Sequence, residues 1–166
     1  MKKCLIKWYK FTDEAIIPTK KERAAGFDIY TTETFVRIPA HSQHLFKTGL
    51  GAVVNKGYWL MAFDRGSTGS RGMHVHCGVI DNDYTGEIFI CIKNDNNYPI
   101  VVTNSVDKAF FDSALNELYY PTSKAIAQII PVAMPEVTCC PCGEAEWIKA
   151  VEESERGSGK LGSSGK

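Results

Sequence analysis

Along residues 87–93 the isoleucines Ile88, Ile90 and Ile92 alternate with Glu87, Phe89, Cys91 and Lys93, a period of two that gives an extended strand one apolar face. An α-helix cannot put every second residue on one side. Similar short segments, rich in β-branched and aromatic residues and bounded by turn formers, recur over residues 4–9, 34–38, 50–54, 58–63, 126–132 and 146–151. Several short strands at this spacing predict an all-β sandwich or barrel rather than a helical bundle. A chain of 166 residues fits one compact domain, burying roughly two thirds of the surface it exposes when unfolded.

Two stretches depart from the strand pattern. Residues 94–123 open on the turn-rich Asn94-Asp95-Asn96-Asn97, and Phe111, Ala114, Leu115 and Leu118 then fall at helical spacing; this predicts an insertion loop with one short helix. Such a loop is either inert packing or a docking surface for a protein partner. From residue 152 onward the chain is glycine, serine and charge, with almost nothing to bury. The expected organisation is a β domain over residues 1–151 and a flexible, Gly/Ser-rich C-terminal arm over 152–166. That arm reads either as a linker-like terminus or as a phosphate clamp, in which Arg156 pairs with phosphate oxygens and small residues let backbone N–H groups approach them.

Charge narrows the partners. Lysine plus arginine number 19 and aspartate plus glutamate number 19, so the net charge gives no case for bulk binding to nucleic acid or an acidic membrane. No apolar run approaches the roughly 18 residues that span a bilayer, and the sequence reads as cytoplasmic, without a secretory signal. Cys4, Cys77, Cys91, Cys139, Cys140 and Cys142 lack the even framework of a small secreted scaffold and read as free thiols. The Cys139-Cys140-Pro141-Cys142 cluster holds one Cys-x-x-Cys pair, but no second pair is visible to close a zinc site.

The segment Gly78-Val79-Ile80-Asp81-Asn82-Asp83-Tyr84-Thr85-Gly86-Glu87 carries the most chemistry. It reads as a tight hairpin with Asn82-Asp83 as turn residues and Asp81 at a strand end, where its carboxylate can face a cleft. Alone, such an aspartate reads first as a turn or capping residue. The segment resembles the third of five motifs of the dUTP pyrophosphatase (dUTPase) family, however, and the others follow in order. Ala25-Gly26-Phe27-Asp28-Ile29 resembles the first, Arg65-Gly66-Ser67 the second, Ile126-Ala127-Gln128-Ile129-Ile130 the fourth and residues 156–165 the fifth.

The resemblance implies a distorted jelly roll of the β-clip type, assembled as a homotrimer with active sites at subunit interfaces and a neighbour's arm closing each one. It implies Mg²⁺-dependent hydrolysis of dUTP to dUMP and pyrophosphate by water attack at the α-phosphorus, a reaction that limits uracil incorporation in DNA. Asp81 would be the base; aspartates as a class, with a reference pKa of about 3.9, are ionised at neutral pH and can accept a proton. Tyr84 would pack under the deoxyribose and exclude a 2′-hydroxyl. Gly78, Val79 and Ile80 would read uracil through the main chain around residues 74–80. Arg65, Gly66 and Ser67 would contact the phosphates, as would Arg156 and the backbone around Gly162 and Ser163; Gln128 would donate to phosphate oxygens or to the attacking water, and Leu161 would cover the base. The resemblance supplies Mg²⁺, held mainly by phosphates and water, with Asp28 reaching it through a water.

Several positions depart from the family pattern. Gly66 stands where a hydroxyl residue usually follows the arginine, Lys124-Ala125 replaces the usual acid and arginine, and Lys160-Leu161 replaces glycine and phenylalanine. A dCTP deaminase, which resembles dUTPases in fold and phosphate grip, is the alternative enzyme. A nucleotide-gated regulatory binding protein is the alternative from another class.

Overall fold

Strand β9 (Phe89–Asn94) realises the isoleucine alternation, because Ile88, Ile90 and Ile92 are all at most 2% exposed. The computed structural model describes residues 3–155 and residue 157. In it β9 is the middle strand of an antiparallel sheet, between β4 (Gln43–Lys47) and β7 (Met73–His76). The register sets Leu45, Cys91 and His76 side by side. Cys91 is buried as well.

The sheet that carries most of the predicted residues orders β2 (Phe27–Ile29), β13 (Ala127–Ala133), β6 (Tyr58–Phe63) and β8 (Val79–Ile80). Gln128 on β13 lies opposite Asp28 on one side and Phe63 on the other. A two-stranded ribbon pairs β1 (Ile6–Lys10) with β5 (Leu50–Val54). A fourth sheet orders β11 (Phe110–Asp112), β12 (Glu117–Pro121), β10 (Ile100–Thr103) and β3 (Phe35–Ile38), with β10 and β12 parallel. These sheets form the all-β, jelly-roll-like architecture expected, without closing into a barrel. Phe46, Leu50, Leu60, Met73, Ile126 and Tyr120 are fully buried between them, each apolar side chain contributing about 1.5–3 kcal/mol relative to exposure.

Three local expectations are corrected. No helix forms within residues 94–123; β10, the β11–β12 hairpin and their turns occupy that stretch. Phe111 and Leu118 are cross-strand partners, not helical neighbours. The Asp112 carboxylate accepts the N–H groups of Ala114 and Leu115 at 2.9 and 3.1 Å, and Asn116 is left-handed at φ 54°, so an Asx turn closes the hairpin instead. Residues 146–151 are not a strand, since they lie inside helix α2 (Glu144–Glu153). There Glu144 and Glu146 sit at the positive end of the helix dipole and Lys149 pairs with Glu153 at 3.8 Å. The segment from Gly78 to Glu87 is not a hairpin either, because β8 pairs with β6 whereas β9 pairs with β4 and β7; it is a turn that carries the chain from one sheet to another.

By packing the chain divides into two units, Met1–Met134 and Pro135–Lys166. The first contains the thirteen strands of the described residues and the short helix α1 (Gly66–Gly69). The second contains α2, which has no buried residue and exposes Trp147 and Ile148. Cys139, Cys140 and Cys142 are exposed free thiols just before it. No helix among the described residues is long and apolar enough to cross a membrane.

Candidate active site

Arg65 stands in extended conformation (φ −87°, ψ 154°) at the point where β6 has ended and α1 begins. The Thr68 hydroxyl fixes that corner, accepting the Arg65 N–H at 3.0 Å and donating to the Arg65 carbonyl at 3.1 Å. The corner aims the guanidinium at Asp28, with Nε on Oδ1 at 2.8 Å and Nη2 on Oδ2 at 3.1 Å. A bidentate pair of this kind fixes orientation as well as charge. The remaining nitrogen, Nη1, donates to Ser67 Oγ at 3.2 Å and to the Ala125 carbonyl at 3.4 Å. Beneath them the Tyr120 hydroxyl donates to the same Ala125 carbonyl at 2.9 Å. Burial pushes the Tyr120 phenol up, opposed by hydrogen bonding with Ser67 and the charge of Arg65.

The Gln128 amide completes this corner by donating to the Asp64 carbonyl at 2.7 Å. Gly26 makes room for it, since a Cβ there would stand 2.6 Å from Gln128 Oε1. A Cβ at Gly66 would meet nothing within 4 Å, so the missing hydroxyl at that position reflects no steric demand. Asp28, Arg65, Gly66, Ser67 and Gln128 line one cleft of about 390 Å³ together with Lys20 and Lys21. Sequence reasoning missed the two lysines. Lys20 donates to the carbonyls of Glu22 and Ala24 and lies 5.8 Å over the Phe27 ring, and among the described residues neither ammonium is in an ion pair. Their adjacency to the first motif was the available signal.

Asp81, Val79, Ile80 and Tyr84 line a different cleft, of about 200 Å³, with Cys77, Leu45, Ile88 and Phe89. Asn82 anchors its turn: the amide nitrogen reaches the carbonyls of Tyr58, Val54 and Asn55 at 2.6, 3.2 and 3.3 Å. The Tyr84 N–H donates to the Asp81 carbonyl at 3.2 Å, while the Asp81 carboxylate is exposed and has no hydrogen bond among the described residues. Tyr84 is 44% exposed and held by its hydroxyl on the Glu87 carbonyl at 2.7 Å. Gly86 permits that bond, because a Cβ there would be 2.8 Å from the Tyr84 oxygen.

Within one chain, then, the predicted residues fall into two clefts with no lining residue in common. Gly78 lines neither and packs its Cα side against the Ala62 carbonyl. His74 is likewise turned elsewhere, its Nδ1 2.7 Å from Asp64 Oδ2. Arg156, Leu161, Gly162 and Ser163 lie outside the described residues.

The model of the dUTPase family matches residues 12–109, more than half of the chain. This chain is a dUTPase-family member. The deoxyuridine 5′-triphosphate nucleotidohydrolase of Kluyveromyces lactis is 34% identical over 155 residues, which cover 92% of this chain and 88% of that protein. That of Nautilia profundicola is 30% identical over 165 residues, 97% and 99% of the two chains. Among solved dUTPases, that of Staphylococcus bacteriophage 80alpha with dUPNHPP superposes with a TM-score of 0.70 at 21% identity, covering 96% of this chain and 97% of that one. A mutant dUTPase of phage phi11 of S. aureus, solved with reference to a structural Mg(II) ion, superposes at 0.65 with 20% identity over 84% and 99%. These likenesses support the dUTPase fold along nearly the whole chain, and the dCTP deaminase alternative is not favoured.

Proposed function

We propose that this chain hydrolyses dUTP to dUMP and pyrophosphate, and that its active site is assembled from the two clefts of different subunits. The carrying observation is their separation: groups suited to phosphate line one, and Asp81 with Tyr84 lines the other. A nucleotide whose phosphates lie in one subunit's first cleft meets the second cleft most simply from a neighbour. The assembly is a homotrimer, and the arm of residues 152–166 closes each site with Arg156 and the backbone around Gly162 and Ser163 on the phosphates and Leu161 over the base.

Asp81 orients a water behind the α-phosphorus and takes its proton. Its carboxylate, exposed and unengaged among the described residues, is free to do so. Arg65, Ser67 and Gln128 place the phosphates, and Lys20 and Lys21 add positive charge, which lowers the cost of gathering charge at the reacting centre. Tyr84, locked on Glu87 and Gly86, presents its ring to the sugar and leaves no space for a 2′-hydroxyl. Main-chain groups of Val79 and Ile80 read uracil, and Gly78 keeps that segment close against β6.

No group of three or more His, Cys, Asp or Glu converges on a metal position among the described residues, and both Asp28 oxygens already accept from Arg65. That donor set fits a Mg²⁺ carried by triphosphate oxygens and waters, with Asp28 touching it only through water. When bound, the ion neutralises phosphate charge. Pyrophosphate release from dUTP, UTP, dTTP and dCTP with Mg²⁺ tests the reading: activity confined to dUTP, and lost from a chain ending at Glu155, is the expected result. Ammonia released from dCTP would overturn it.

A further inference from the structure

Cys77 follows β7 directly, and Cys91 on β9 is the Cα partner of His76, the residue before it. Antiparallel partners have Cα atoms about 4.5–5.5 Å apart. Cys77 lies one Cα step, about 3.8 Å, beyond that pairing, and a disulfide closes where two Cα atoms come within roughly 4.4–6.8 Å. In a continuing strand Cys77 would face away from Cys91. Its backbone is instead left-handed, φ 55°, which is uncommon for a residue with a Cβ. Leu45, the other Cα partner of Cys91, lines the same cleft as Cys77, which sets the two thiols on one side of the sheet. Burial, and then the neighbouring Cys77, push the Cys91 thiol up.

The two differ in access. Cys77 is exposed and lines the cleft of Asp81 and Tyr84, while Cys91 is buried. We propose that Cys77 and Cys91 are a peroxide-sensitive thiol pair whose disulfide shuts the base cleft against nucleotide. That nucleotide occupies this cleft rests on the function proposed above; the bond itself does not.

The chemistry needs only hydrogen peroxide as oxidant. The Cys77 thiolate attacks one peroxide oxygen, the O–O bond breaks, and a sulfenic acid forms as hydroxide leaves and is protonated to water. The Cys91 sulfur then attacks the Cys77 sulfur, the S–O bond breaks, and hydroxide departs with the Cys91 proton as a second water. Two thiols lose two electrons and one peroxide gains them. A reductant thiol reverses the bond by exchange.

The cleft registers the change because the backbone after Cys77 has no slack. The Gly78 carbonyl accepts the Ala62 N–H at 2.8 Å, and a Cβ on Gly78 would stand 2.4 Å from the Ala62 carbonyl oxygen. A shift at Cys77 therefore passes to Val79, Ile80 and Asp81.

The test uses the full chain with Cys139→Ser, Cys140→Ser and Cys142→Ser, so that the exposed cluster does not compete. After dilute hydrogen peroxide the intact mass should fall by two hydrogens, and peptide mapping should show a Cys77–Cys91 link. Hydrolysis of dUTP should fall by about an order of magnitude, mainly through KM, and return with dithiothreitol; saturating dUMP should slow the oxidation. Cys91→Ala, or Cys91→Val if the smaller side chain does not fold, should keep its starting activity and resist peroxide. Absence of the link, a link that leaves activity unchanged, or a Cys91 variant as peroxide-sensitive as its parent would each overturn the proposal. If the untreated chain does not hydrolyse dUTP, the proposed function fails, while the mapped link still decides the thiol pair.

Discussion

In the cleft around Arg65, every side chain anticipated from the sequence already has a protein partner: Asp28 holds the guanidinium, Ser67 accepts from it and Gln128 donates to the Asp64 carbonyl. In the cleft around Asp81 the loop is anchored by Asn82 and Tyr84 is tied to Glu87, yet the carboxylate itself is unengaged. The first is organised before substrate arrives and the second keeps one reactive group in reserve. Because Asp28 cancels the charge of Arg65, the uncompensated charge of the first cleft belongs to Lys20 and Lys21. Positioning and charge supply are thus assigned to different residues.

The sharpest way to break this contrast is Asp81→Asn, which should reduce kcat by about 10²- to 10⁴-fold with little change in KM and a melting temperature close to the parent's. A rise in KM with kcat intact, in steady-state assays, would move Asp81 from chemistry to binding. Next comes Asp28→Asn, which leaves Arg65 without its charged partner. It should cost about tenfold in kcat/KM through misplacement of the guanidinium but at most about 1 kcal/mol of stability, since the pair is partly exposed and solvent-screened. Denaturant melts alongside kinetics separate the two effects.

A smaller effect is expected of Lys21→Met. KM should rise several-fold and lose part of its dependence on ionic strength, with kcat preserved, because a partly exposed charge acts on the triphosphate through a screened field. A KM that stays salt-dependent to the parent's degree would leave the charge supply to Lys20. Smallest is Leu161→Phe, which should lower KM by less than the roughly 1–3 kcal/mol of a full base–aromatic stack, since the proposed closure already gives the base an apolar cover. Michaelis constants for dUTP at matched Mg²⁺ measure it.

Residues 50–54 and 58–63 become strands with the bounds read from their composition, and the isoleucine alternation of residues 88–92 points to the core. Composition sufficed there because apolar runs of strand length are bounded by turn formers such as Asn55 to Gly57. Period and composition failed at residues 111–118, where a hairpin turn brings Phe111 opposite Leu118 and so imitates a helical repeat. They failed again at 146–151, where Trp147, Ile148 and Val151 suggested a strand while alanine, glutamate and an i,i+4 pair support the helix. For the proposed site, motif order pointed to Asp28, Arg65, Gln128 and Asp81. It could not find Thr68 or Asn82, whose worth lies in carbonyls that only the folded backbone brings to them. Linear order also says nothing of the division into two clefts.

The Asp28–Gln128 register joins residues one hundred positions apart. Contacts of such separation close late and slow folding, because the intervening chain must give up its freedom first. On a ribosome the nascent polypeptide would therefore carry Asp81 and its loop well before it possessed any place to seat a triphosphate. Catalytic competence should arrive only with the docking of β13, and recovery of activity after refolding should lag behind recovery of β structure.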